Sequence, residues 1–153
     1  NELEVSKQLY SIAREFDIWS RPEGYLGYPF GWSPVQIYYD PAKVTYAKLL
    51  DTYWHNIDPF DANGQFCDKG NAYRSVIFVG DDEEKALAES TKQQVADRFK
   101  EAVVTEIKPA TTFTAAEDYH QNYHNTNPVS YKFYKWNCGR AQRLEQLWGP
   151  KPS

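Results

Sequence analysis

The sequence predicts a two-layer α/β domain, and three observations carry that prediction. Segments of alternating apolar residues are interleaved with segments of helical periodicity, the pattern of strands and helices packed as layers. The chain has 153 residues, the length of one ordinary domain and enough to bury a core without metal or a disulfide framework. Hydrophobic residues are 41%, aromatics 16% and charged residues 25%, a globular rather than disordered composition.

The elements follow in order. ELEV (residues 2–5) is compatible with a short strand. KQLYSIAREF places Leu9, Ile12, Ala13 and Phe16 on one helical face. SRPEGYLGYPFGWSP, rich in Gly, Pro and aromatics, reads as a structured loop. PVQIYYD alternates Val35, Ile37 and Tyr39 against Gln36 and Tyr38, a strand ending at Asp40 and Pro41. TYAKLLDTYWHN (45–56) predicts a helix presenting Tyr46, Leu49, Leu50, Tyr53 and Trp54. A polar loop, DPFDANGQFCDKGNA, leads to the strand YRSVIFVG. DDEEKALAESTKQQVADRFK predicts a long amphipathic helix with its acids near the positive end. EAVVTEIKP is a further strand. AAEDYHQNYH is a short helix stopped before Asn127 and Pro128. VSYKFYKW reads as extended, and GRAQRLEQLWG as a closing helix ending at Gly149.

Charge and composition exclude several partner classes. The net charge is -4, and no basic cluster tracks phosphates, so nucleic acid is not an expected partner. No apolar run reaches the length of a membrane span. No charged-then-apolar leader is present, and the chain contains no Met, so a processed N-terminus and chance both fit. The protein reads as soluble, either cytoplasmic or processed and secreted. Its two cysteines, Cys67 and Cys138, are too few for a disulfide framework; two free thiols, one bridge and a redox pair all remain open.

From about residue 35 to 149, two strings in order carry a resemblance. They are Asp68, Gly70, Tyr73, Arg74 and Ser75 as D-x-G-x-x-Y-R-S, and Ala116 to Gln121 as A-E-D-Y-H-Q. Together with the tail YKFYKWNCGR, they resemble A-type peptide methionine sulfoxide reductases. That resemblance implies an α/β plait of ferredoxin-like core, a mixed sheet with helices packed on it. It also implies thiol catalysis. In the family a Cys in a G-C-F-W segment attacks the sulfoxide sulfur, and a Glu in a G-H-x-E segment protonates its oxygen. Attack needs a thiolate, which a helix N-terminus helps supply. The oxygen needs an acid protonated at working pH.

This sequence departs from that pattern twice. No Cys precedes Cys67, and no G-C-F-W string occurs; near the start stand Ser6, Lys7 and Gln8. The G-H-x-E segment corresponds to Gly31, Trp32, Ser33 and Pro34, without the Glu. The pocket strings are kept. The resemblance carries over Tyr25, Asp68 and Tyr73, and also Glu117, Asp118, Tyr119 and His120.

The expected catalytic residues are therefore Asp68, Tyr73, Tyr25 and His120. A carboxylate beside a phenol is a workable acid–base pair in a semi-dry pocket; the bland alternative is a turn cap and a core tyrosine. Tyr28, Phe30, Trp32, Glu117 and Tyr119 are expected to bind substrate, with the aromatic loop widening the wall for a flatter apolar ligand. Cys67 reads either as a relocated nucleophile or, preferably, as a small buried hydrophobe, because the adjacent Asp68 disfavours a thiolate. Cys138 reads as structural, or as a second thiol to Cys67. Glu117, His120 and His124 share helical spacing, but no fourth ligand is evident, so no metal and no cofactor are expected. Three functions follow in order of preference. The first is a repurposed small-molecule enzyme doing non-redox acid–base chemistry. The second is a methionine-S-sulfoxide reductase using Cys67 and Cys138. The third is a non-catalytic binding module.

Overall fold

The computed structural model describes residues 41–110 and 127–150. The first helix, α1, spans Tyr46–Trp54. Thr45 starts it by accepting the Lys48 N–H at 3.1 Å, the side-chain cap that an exposed helix end needs. The helix stops two residues before the predicted end: His55 N–H still bonds to Asp51 O four residues back, but Asn56 N–H bonds to Tyr53 O, which tightens the turn and ends the helix. Leu49, Leu50 and Trp54 are buried, as the spacing predicts.

Next come β1 (Gly64–Gln65) and β2 (Asp68–Lys69), a two-stranded antiparallel hairpin. A 3₁₀ turn over Asn71–Tyr73 leads to β3 (Val76–Val79). The long helix α2 spans Asp82–Phe99, and β4 spans Glu106–Pro109. β3 and β4 pair in parallel, with Val76 opposite Glu106 and Val79 opposite Pro109. Parallel neighbours need a crossover, and α2 supplies it. Asp81 caps α2 by accepting the Glu84 N–H at 2.8 Å, and Asp82, Glu83 and Glu84 place negative charge at its positive end.

The core lies between these layers. Leu50 and Trp54 from α1 meet Ile77 and Val79 from β3, Ala88 and Val95 from α2, and Val103. Trp54 also donates its Nε1–H to Thr91 Oγ1 on α2 at 2.9 Å, so the largest core residue satisfies its one polar atom. A second buried polar pair, Ser75 Oγ and Thr105 Oγ1 at 2.8 Å, crosses from before β3 to before β4. Tyr53 donates to Val76 O at 3.3 Å, and burial pushes its hydroxyl far above the ordinary tyrosine range.

Three expectations need correction. VSYKFYKW is not extended: Pro128–Asn137 forms the helix α3. Its closely spaced aromatics imitate a strand pattern, but Pro128 occupies the first helical position, where its fixed φ favours a helix. Val129, Phe133 and Trp136 fall on one face of α3, and that face is exposed. The predicted loop between α1 and β3 contains the β1–β2 hairpin. The predicted strand YRSVIFVG pairs with β4 only from Val76, since Tyr73 closes a turn onto Gly70 O at 3.1 Å. The last helix, α4, spans Arg140–Trp148 as predicted.

Candidate active site

Asp68 and Cys67, two of the predicted site residues, lie on the hairpin, and Tyr73 closes the turn just after it. The hairpin is built around backbone positions few sequences allow. Gly64 has φ 155°, and a Cβ there would stand 2.0 Å from Asp68 O, so only glycine fits. Phe66 takes φ 54° at the reversal, which turns the chain in two residues between Gln65 and Asp68. Cys67 is consequently at the tip and exposed, and Asp68 behind it is half-buried.

Cys67 is bonded to Cys138, across 71 residues of sequence and with 5.0 Å between Cα atoms. This corrects the expectation of a small buried hydrophobe at Cys67. Of the three states left open by the sequence, the structure has the bridge. Cys138 is half-buried and joins α3 to α4 through Gly139.

The chain between α1 and the hairpin forms a polar platform, and α4 docks on it. Gln65 holds the Asp58 backbone from both sides, accepting its N–H and donating to its carbonyl, each at 2.8 Å. Asp58 is buried; its Oδ1 accepts the Phe60 N–H at 3.0 Å, and its Oδ2 accepts Arg143 Nε–H at 2.7 Å. Donating that hydrogen bond to Asp58 is the main reason the Arg143 guanidinium is held above its already high value. Arg140 donates to Asn56 O at 3.0 Å and lays its guanidinium 4.3 Å from the Phe66 ring centre. Trp148 packs on His55 and Phe99 with ring centres 4.1 and 5.1 Å apart.

Asp61 pairs with Lys69 across the hairpin base. Burial alone would push its carboxyl up; the Lys69 hydrogen bond, the Asn63 N–H and the charges of Lys69 and Arg143 outweigh it, so the carboxyl is held below the ordinary aspartate range. A depressed carboxyl stabilises the fold above its unfolded value, and that contribution is lost as pH falls through the folded one. Asp61→Asn is therefore expected to flatten the stability profile on the acid side, at and below the ordinary aspartate range. Urea midpoints against pH check this; an unchanged acid slope would count against the Lys69 pairing.

The structure thus gathers Cys67, Asp68 and Cys138 at one hairpin, with Tyr73 on the turn that follows. Tyr25, Tyr28, Phe30, Trp32, Glu117, Tyr119 and His120 lie outside the described residues, as does His124. Among the described residues no three His, Cys, Asp or Glu side chains group as metal ligands. Arg140, Arg143, Asp58 and Gln65 were not singled out in sequence. The signal available was Gly139-Arg140 directly after Cys138: a cation at the start of a helix rarely serves the helix itself.

Comparison with known proteins agrees with this geometry. A family described as "Peptide methionine sulfoxide reductase" matches residues 32–152. The peptide methionine sulfoxide reductase MsrA of Bacillus subtilis is 44% identical over 119 residues, covering 76% of this chain and 67% of its own length. MsrA 2 of Caulobacter vibrioides is 43% identical over 119 residues, covering 77% of this chain and 60% of its own. The chain therefore spans about two thirds or less of these relatives, with 60% for the second. Among solved structures, reduced Mxr1 from Saccharomyces cerevisiae superposes with a TM-score of 0.57 at 33% identity, over 60% of this chain and 50% of that one. Methionine sulfoxide reductase A of Corynebacterium diphtheriae gives 0.51 at 25% identity, over 67% and 62%. The α/β fold is the one these reductases share, and the chain belongs to the peptide methionine sulfoxide reductase family.

Proposed function

We propose that this protein reduces methionine sulfoxide in peptides, using Cys67 and Cys138 as its two-electron store. The carrying observation is the pairing of these two sulfurs beside Asp68. The 153 residues hold two cysteines in all, so thiol chemistry by these residues runs through this pair. The names of the relatives support the substrate class. The overall step balances: a sulfoxide and two thiols give a thioether, one disulfide and water. An external dithiol then reopens the disulfide. Asp68 and Tyr73 are the groups assigned to move protons to the departing oxygen.

The test is reduction of a peptide methionine-S-sulfoxide with dithiothreitol, read as loss of one oxygen by mass. Turnover is expected in the wild type and absent in Cys67→Ser and Cys138→Ser. A wild type that leaves the sulfoxide intact sinks the proposal. So does turnover that survives in both cysteine variants. The non-redox reading preferred from the sequence gains no support from the family match or the closed bridge. It would return only if another activity depended on Asp68 and ignored both cysteines.

A further inference from the structure

We infer that Arg140 and Phe66 clamp the two arms of the cysteine pair together, so that Cys138 stays opposite Cys67 when the bond is open. Both are positioning residues, acting on the sulfurs through the chain that carries them. Their part in a reductase cycle rests on the function proposed above; the clamp itself does not.

Phe66 directly precedes Cys67, and Arg140 stands two residues after Cys138. Their contact joins the two arms without using the sulfurs: the guanidinium lies 4.3 Å from the ring centre. Both ends of this contact are tied to the platform. Arg140 Nη1 donates to Asn56 O at 3.0 Å, and Asn56 is fixed to α1 by donating its Nδ2–H to Thr52 O at 2.7 Å. Gln65, the residue before Phe66, holds the Asp58 backbone from both sides.

The backbone at Phe66 is a second observation. Its φ of 54° is left-handed, a conformation that glycine adopts readily and a bulky residue does not. Among the described residues the ring does not join the apolar core. Strain of this kind points to a use for the side chain. The use on offer is the ring face, over which a cation is attracted.

Clamp and bond need the same approach of the hairpin tip to α4, so each favours the other, and the coupling is reciprocal. Its size is read as the effective concentration of one thiol at the other. Charge acts in the opposite sense: a cation that served to hold a thiolate would stabilise the reduced pair and disfavour the bond. The sign of the shift therefore separates positioning from electrostatics.

Equilibration of the full chain with glutathione tests the clamp without any sulfoxide. Protein dithiol and glutathione disulfide give protein disulfide and two reduced glutathiones; alkylation stops the exchange, and mass spectrometry reads the fraction closed. Phe66→Leu keeps apolar bulk without the π face and is expected to lower the effective concentration about threefold, whereas Phe66→Tyr retains it. Arg140→Met also loses the bond to Asn56 O and is expected to lower it about tenfold, a rise of about 30 mV in reduction potential. Arg140→Lys, which keeps a cation, is expected to restore part of this. Phe66→Leu combined with Arg140→Met should match Arg140→Met alone, since the ring then has no cation to hold. Unchanged equilibria in Phe66→Leu and Arg140→Met overturn the inference, as does a shift toward the disulfide in Arg140→Met. A protein that shows the expected shifts yet leaves sulfoxide intact removes the reductase proposal and upholds the clamp; sulfoxide turnover with unshifted equilibria does the reverse.

Discussion

Cys138→Ser is expected to lower the stability of the oxidised protein by about 2–4 kcal/mol. The bond closes a loop across 71 residues, which restricts the unfolded chain strongly. It also joins two parts that the sequence keeps far apart, the hairpin after α1 and the α3–α4 junction. Urea unfolding checks the value, with the loss appearing in the midpoint. Reducing the wild type should reproduce the shift. Cys67→Ser should match it, and the double variant should cost no more than either single one, because all three remove the same bond. A wild type whose midpoint ignores reductant would show that the bridge does not constrain the fold. The magnitude bears on function too. A loss of this size is smaller than the 5–15 kcal/mol typical of a domain. The opened pair can therefore exist in a folded protein, as a redox cycle requires.

Elements built on local rules were legible in the sequence. α2 announces itself by Asp81, the acids after it and its length; α1 by the spacing of Leu49, Leu50, Tyr53 and Trp54. The βαβ order of β3, α2 and β4 followed from alternation. What failed depended on distant partners. α3 carries aromatics that suit a strand, and only the start at Pro128 argued otherwise. The hairpin needs Gly64 because of Asp68 O, a backbone contact no periodicity reveals.

The site divides the same way. Asp68 and Tyr73 were found because their string is local and specific. The state of Cys67 was misread because the neighbour considered was Asp68, one residue away, whereas the partner that decides it is 71 residues away. Ser75 was quoted as part of a motif, and its role is structural: it meets Thr105 in the interior. Arg143 gave no sign at all, since an arginine on an amphipathic helix ordinarily faces water.

Arg143 is also where a single change should hurt most outside the bridge and the apolar core. Its Nε–H reaches Asp58 Oδ2 at 2.7 Å, and the Asp58 side chain is 11% exposed against 40% for Arg143. Arg143→Met keeps much of the stem and removes the cation, leaving a buried carboxylate without its ion-pair partner. Breaking a fully buried pair this way costs about 3–5 kcal/mol; with one partner partly in water, about 2 kcal/mol is expected. Asp58→Asn combined with Arg143→Met should recover part of the loss, because the stranded charge is gone. The guanidinium stays charged throughout the accessible pH range, so its own titration adds no slope there. Urea midpoints of the four proteins in the cycle give the coupling, and additive losses would mean that Asp58 and Arg143 do not act as a pair. The reduced protein is the sharper comparison. With Cys67 and Cys138 open, Arg143, Arg140 and Trp148 are among the contacts that still hold α4 in place, beside the buried Leu144. Arg143→Met should then slow re-closure of the disulfide, since the sulfurs meet only while α4 is docked.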